Sequence, residues 1–471
     1  MADQKNQSKL TDYYSDPWVR RRIREYCGET ASPPTCVYLS ALDGDHETWD
    51  RAPRMPVEAL ENLLAEGADV ARSMWDRSNM LIHLDLDYQN IDLRDEPYRH
   101  PAEMFTKLEP IYRATISVLH RLGLPLLPII TGRGYHFTGR VPLDSDVTRR
   151  LASIAPETPS WFSTLSERCP SWMAAEMSST QARAYMGVGL IVEFLAHRIL
   201  KRARRRAPIP VVLNGTVVGT GRVGRECVSI DVSYAGDPLD ARHVRVAYSS
   251  YQKHSSVLRS TGGGRVVPMA AVPRHHESLP ALISGQRGLR HATRSARQRP
   301  AVIPEVAAGV QRVLDAYESS RLAQFHQRFY ATPPGRPGQF ETFAGSRQWR
   351  SLPDCVIGPL LEPNDRLLQP AVIQHVTRAL MAEGLAPREI ADLVQARYAA
   401  DFNWGDRWIS RDARTRAEFD VRVFAGLLVA GIDRGLDFNC RSAQEKALCP
   451  GTPCRCDLRV ARQRLLWTLV P

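Results

Sequence analysis

The sequence offers little to a membrane. No run of about 18 consecutive apolar residues occurs in its 471 positions, so no spanning helix is expected. The N-terminal stretch MADQKNQSKLTDYY is polar and lacks the apolar core of a secretory signal. A reducing, cytoplasmic setting is the expectation, and in it nine cysteines read as thiols or metal ligands rather than disulfides. No internal repeat and no long low-complexity tract occurs, which sets solenoid and fibrous architectures aside. No zinc-ligand cluster lies in the first half, where Cys169 and Cys227 stand alone and read as core thiols.

What is present is enough for real cores. Apolar residues make up 43% of a chain long enough for two to four domains. Lys and Arg total 62 against 51 Asp and Glu, and the resulting +11 fits a polyanionic partner such as nucleic acid. Residues 1–260 alternate helical and strand patterns, as an α+β or α/β catalytic domain would. Helices are expected over 57–75, 105–122 and 181–206, the last ending in KRARRR with Gly187 and Gly189 as weak points. Strands are expected over 81–87 and 126–130 and in VVLNGTVVG and ECVSIDVSY. Residues 261–350 read as a flexible basic linker with one short helical stretch, because STGGGR and GQRGLRHATRSARQRP show little apolar periodicity. From 351 to 471 the pattern is mainly helical.

Three stretches carry candidate chemistry. In LIHLDLDYQN, strand geometry puts Ile82, Leu84 and Leu86 on one face and His83, Asp85 and Asp87 on the other. Two carboxylates that close repel unless something positive sits between them, and Mg²⁺ or Mn²⁺ suits oxygen ligands. By itself the pair also fits a strand end with two solvated aspartates. In IITGRGYHF, Gly132 and Gly134 allow a tight turn with exposed amides suited to phosphate, with Arg133 and His136 beside it. In SIDVSYAGDPLDARHVRVAYSSYQKH, Asp231 follows an apolar run, and Arg245, Ser249 and Lys253 recur every four residues; these types bind phosphates, though a surface strand with solvated charges looks the same.

Taken in order, these motifs resemble the catalytic subunit of archaeo-eukaryotic primases over about residues 10–260. Leu84-Asp85-Leu86-Asp87 matches the family's first motif, Thr131 to His136 its second, and Asp231 with the basic residue and Ser…Lys pair its third. The glycine turn is one residue shorter than the commonest family form, which leaves the role of Arg133 open. The resemblance implies an RRM-like palm in which Asp85, Asp87 and Asp231 hold two Mg²⁺ or Mn²⁺ ions. It also implies that Arg133, His136, Arg245, Ser249 and Lys253 grip the incoming nucleoside triphosphate.

The cysteines of the last third form a second pattern. Cys355 is remote; Cys440, Cys449, Cys454 and Cys456 cluster near the end. Four cysteine thiolates suit zinc or an iron–sulfur cluster. Pro353-Asp354-Cys355 followed by helices and further cysteines resembles the C-terminal iron–sulfur domain of the primase large subunit, over residues 351–460. That resemblance implies a [4Fe–4S] cluster on Cys355, Cys440, Cys449 and Cys454, with Cys456 as the alternative fourth ligand. Zinc and unligated thiols are the other readings. Arg366, just past Cys355, is a weak candidate for holding a 5′-triphosphate.

Both modules on one chain imply a primase or primase-polymerase that starts primers from NTPs or dNTPs on single-stranded DNA. A replicative helicase or polymerase is a candidate partner. Two other readings stand beside it: a gap-filling or translesion polymerase that extends existing primers, and a non-catalytic DNA-binding iron–sulfur protein.

Overall fold

The computed structural model describes residues 2–28, 34–42, 53–216, 225–233, 243–251, 269–273, 278–333, 335, 338–361, 365–399, 412–449, 451, 454 and 457–468. Two helices open the chain, α1 (Ala2–Ser15) and α2 (Pro17–Tyr26). Asp16 caps α2 by accepting from the N–H of Trp18 at 2.9 Å and of Val19 at 3.2 Å, and Pro17 supplies a preset first turn.

Among the described residues, nine strands build two sheets, with helices packed around them in a mixed α+β arrangement. The first sheet joins β1 (Leu39–Leu42), β2 (Arg54–Met55), β3 (Asp69–Arg72) and β9 (Val244–Arg245) in the order β2-β1-β3-β9. The second joins β4 (Asn79–Asn90), β5 (Leu127–Ile130), β6 (Gly134–Pro142), β7 (Val211–Leu213) and β8 (Glu226–Asp231) in the order β5-β6-β4-β8-β7. The helix expected over 57–75 stops at Ala65. Gly67 takes φ 71°, a left-handed conformation that ends the helix, and the chain then enters β3.

The second sheet divides its two faces by chemistry. Ile82, Leu84 and Leu86 share one face with their register partners Tyr135 and Phe137. The helix α3 (Pro101–Arg121) covers that face; its Tyr112 ring lies 4.4 Å from Tyr135 and 5.8 Å from Phe137. After α4 (Asp146–Ile154), the long α5 (Ser179–Ala203) packs on β4 as well. Gly187 is a packing requirement rather than a weak point: a Cβ there would sit 2.0 Å from the carbonyl oxygen of Leu151 on α4.

The stretch expected to be a flexible linker is folded wherever it is described beyond Met269. It forms α6 (Leu279–Arg287) and α7 (Leu289–Gln298), followed by α8 (Ala307–Glu318) and α9 (Arg321–Ala331), which cover the helical stretch expected there. Ala271 exchanges backbone hydrogen bonds with Ile130 of β5, and Arg22 on α2 donates to the carbonyl of Ala296 at 2.7 Å. The buried positions of α7 are Ala292, Ser295 and Ala296, too small and too polar to print an apolar stripe in the sequence.

The C-terminal part is helical: α10 (Asp354–Leu361), α11 (Pro370–Ala382), α12 (Pro387–Ala399), α13 (Ala413–Val429), α14 (Cys440–Glu445) and α15 (Leu458–Thr468). A buried polar cluster ties it to the first half. Glu193 on α5 accepts from Arg422 on α13 at 3.1 Å and lies 3.2 Å from His326 on α9. Among the described residues, no helix is long and apolar enough to cross a membrane.

Candidate active site

Strand pairing sets the site. β4 is the central strand, flanked by β6 and β8. Asp85 faces His136 across one ladder and Asp231 across the other, so the three form a row over three adjacent strands. Asp87 lies one pleat further along the same face, opposite Gly134 and Ser229. This is the face opposite α3. The three carboxylates are 2%, 7% and 3% exposed in chain order, so each needs a compensating partner.

Those partners are visible. Arg133, in the turn between β5 and β6, forms an ion pair with Asp87. His136 Nε2 lies 3.5 Å from Asp85 Oδ1. Asp231 Oδ1 accepts from the hydroxyl of Ser233 at 2.6 Å and from its N–H at 2.9 Å. Next along the face is His83, whose Nδ1 lies 2.8 Å from Thr138 Oγ1 and whose ring meets His136 edge-on at 5.1 Å. Burial first, and then His136, holds the His83 pKa well below the usual imidazole value, so it contributes no charge.

The glycines of the turn are there for closeness. A Cβ on Gly134 would lie 1.7 Å from the carbonyl oxygen of Leu86, and one on Gly132 would lie 2.7 Å from the Tyr251 ring. Tyr251 was not legible as a site residue. It sits under the Arg245 guanidinium, 4.2 Å from ring centroid to charge. Burial pushes its phenol up to about 12; the nearby Arg133 and Arg245 oppose that rise, and Asp87 and Asp85 add to it. The phenol therefore stays protonated beside the carboxylates.

Two residues expected to hold the triphosphate are engaged within the protein. Arg245 lies in the first sheet, buried, where it forms an ion pair with Asp69 and donates to the carbonyl of Ser250 at 2.8 Å. Ser249 is fully buried, and its hydroxyl donates to the carbonyl of Val246 at 2.8 Å. The four-residue interval does not put them on one face, because 246–249 is a turn with Tyr248 at φ 65°. Tyr13 and Tyr14 of α1 brace that turn through the carbonyl of Tyr248 at 3.0 Å and Ser250 Oγ at 3.1 Å. Lys253 lies outside the described residues.

Hard carboxylate oxygens suit Mg²⁺ or Mn²⁺. Among the described residues, however, no three His, Cys, Asp or Glu side chains converge as a ready-made ion site. Asp87 is turned to Arg133 and Asp231 to Ser233. In the C-terminal part, Cys355 is buried at the start of α10. Burial, and then the thiols of Cys449, Cys454 and Cys440, push the Cys355 thiol up to about 12. Cys355 Sγ also lies 3.1 Å from His375 Nε2. Cys456 lies outside the described residues. Arg366 donates to the carbonyl of Leu448 at 2.5 Å, so it holds the cysteine loop rather than presenting itself to a ligand.

Comparison with known proteins adds little. No protein-family model matches the chain, and no curated protein is significantly similar. Among solved structures, the polymerase domain from Mycobacterium tuberculosis ligase D in complex with DNA is similar at 15% identity, over 68% of this chain and 91% of that chain, with a TM-score of 0.30. A superposition that loose assigns neither fold nor activity.

Proposed function

We propose that this chain is a DNA-directed nucleotidyltransferase of the primase-polymerase kind, which starts short primers from NTPs or dNTPs on single-stranded DNA. The observation that carries it is the row Asp231–Asp85–His136 across three neighbouring strands, with Asp87 and Arg133 one pleat away. Three buried carboxylates on one face, with Arg133 paired to Asp87, make a site whose oxygen donors suit divalent cations. Ions held by Asp85, Asp87 and Asp231 would activate a 3′-hydroxyl and stabilise the leaving pyrophosphate.

The chain's own residues do the rest. Arg133 pairs with Asp87 and, were Asp87 to hold an ion, would offer its guanidinium fork to phosphate oxygens. His136 orients Asp85. The close turn at Gly132 and Gly134 keeps Arg133 and His136 on the carboxylate face. In the same proposal, residues 1–260 form the catalytic part and residues 351–471 a large-subunit-like part with an iron–sulfur cluster. Cys355, Cys440, Cys449 and Cys454 fit that cluster in donor chemistry, although their side chains do not converge as a ready-made site.

Templated synthesis with and without an annealed primer tests the reading. Labelled product on primer-free DNA is expected; extension of an annealed primer alone would replace it with a gap-filling polymerase.

A further inference from the structure

The basic run that ends α5 takes no part in the carboxylate site. Its residues open onto a cavity of about 580 Å³ on the other side of the sheet, between the C-terminal ends of α3 and α5 and the start of α9. Arg198, Lys201, Arg202, Arg205 and Arg206 line it from α5 and its extension. Arg121 of α3 and Arg321 of α9 face them. No carboxylate lines the cavity, and among the described residues none of these seven cations has a carboxylate partner. Arg204, inside the same run, turns away to the carbonyl of Ile432.

Ordinary surface chemistry does not account for this concentration. Two helix C-termini attract about half a unit charge each, far less than seven cations supply. Arg198 and Arg202, Lys201 and Arg205, and Arg202 and Arg206 are like charges four residues apart on or just past one helix, an arrangement that costs stability. An anion of several charges would offset that cost. The remaining wall is apolar, with Val118, Leu122, Phe194 and Leu322, and the Arg198 guanidinium lies 5.5 Å from the centre of the Phe194 ring. The volume falls in the usual range of small-molecule sites, roughly 300–1,000 Å³.

We propose that this cavity binds a nucleoside polyphosphate, with its phosphates among the arginines and its base against the apolar wall, apart from the carboxylate site. The ligand is either a free nucleotide or the 5′-triphosphate end of a strand. The inference goes beyond the proposed function and does not depend on it.

The test is equilibrium binding of ATP to the full chain in EDTA, where no divalent ion can bridge nucleotide to carboxylate. Saturable binding is expected, competed by inorganic triphosphate. It should weaken at least about tenfold in Arg202→Ala/Arg205→Ala and again in Arg121→Ala/Arg321→Ala, with thermal midpoints no lower than the wild type's because most of these side chains are exposed and the like-charge pairs are relieved. An oligonucleotide with a 5′-triphosphate that outcompetes ATP would identify a strand end as the source; ATP competing equally well would identify the free nucleotide. Absence of saturable binding, or binding equal in both variants and wild type, overturns the proposal. So does a 5′-hydroxyl oligonucleotide that competes as well as its triphosphate counterpart. The readout involves no transfer chemistry, so its failure leaves the carboxylate reading standing.

Discussion

At the scale of single residues, the carboxylates were legible because strand periodicity is strict. An alternation of two decides which of LIHLDLDYQN share a face, and the register with β6 and β8 then brings His136 and Asp231 alongside Asp85. The four-residue spacing of Arg245 and Ser249 does not bring them to one face, because spacing along a turn says nothing about direction. The two readings of Arg245 differ measurably. Arg245→Ala strands Asp69 in the interior, so a loss of about 3–5 kcal/mol in stability is expected, seen as a lowered denaturation midpoint. A folded variant of unchanged midpoint with a raised KM for nucleotide would restore the nucleotide-binding role. Gly134→Ala drives a methyl into the Leu86 carbonyl, and about 3 kcal/mol of destabilisation is expected in the same assay.

At the scale of elements, most long apolar periodicities were legible, the helix expected over 57–75 excepted, and short or small-residue ones were not. β4 and α3 follow the sequence closely, whereas α7 was hidden because alanine, serine and arginine make up most of it. The join between α5, α9 and α13 was invisible too, since nothing in a sequence pairs Glu193 with a histidine and an arginine so far along the chain. That join predicts a pH dependence. Burial holds the His197 pKa down to about 4, against an ordinary 6.5. The unfolded chain therefore takes up this proton before the folded one does, and stability falls as pH drops from about 6.5 to about 4. Burial would raise Glu193, but His326 and Arg422 outweigh it and hold the carboxyl at about 2 against 4.5. Its stabilisation is present above 4.5 and is lost as pH falls towards 2. Chemical denaturation across this range should show both losses, and Glu193→Gln should remove the lower one.

At the scale of the whole molecule, the cysteine-rich end carries a separate prediction. Cys440, Cys449 and Cys454 lie 85 to 99 positions after Cys355 in the sequence, yet their charges act on its thiol. Anaerobically purified protein is expected to be brown with broad visible absorbance, and Cys355→Ser to be colourless. Colourless wild-type protein with one equivalent of zinc would replace the cluster with a zinc site.

The central claim is that the carboxylate row transfers nucleotides. Incorporation of labelled nucleotides on primer-free single-stranded DNA with Mg²⁺ or Mn²⁺, comparing wild type with Asp85→Asn and Asp231→Asn, tests it most directly. Each variant should fold as the wild type does and lose at least about 100-fold in activity, since even residues that only support a metal ligand cost about 10–100-fold. Folded variants that retain wild-type incorporation would contradict the claim.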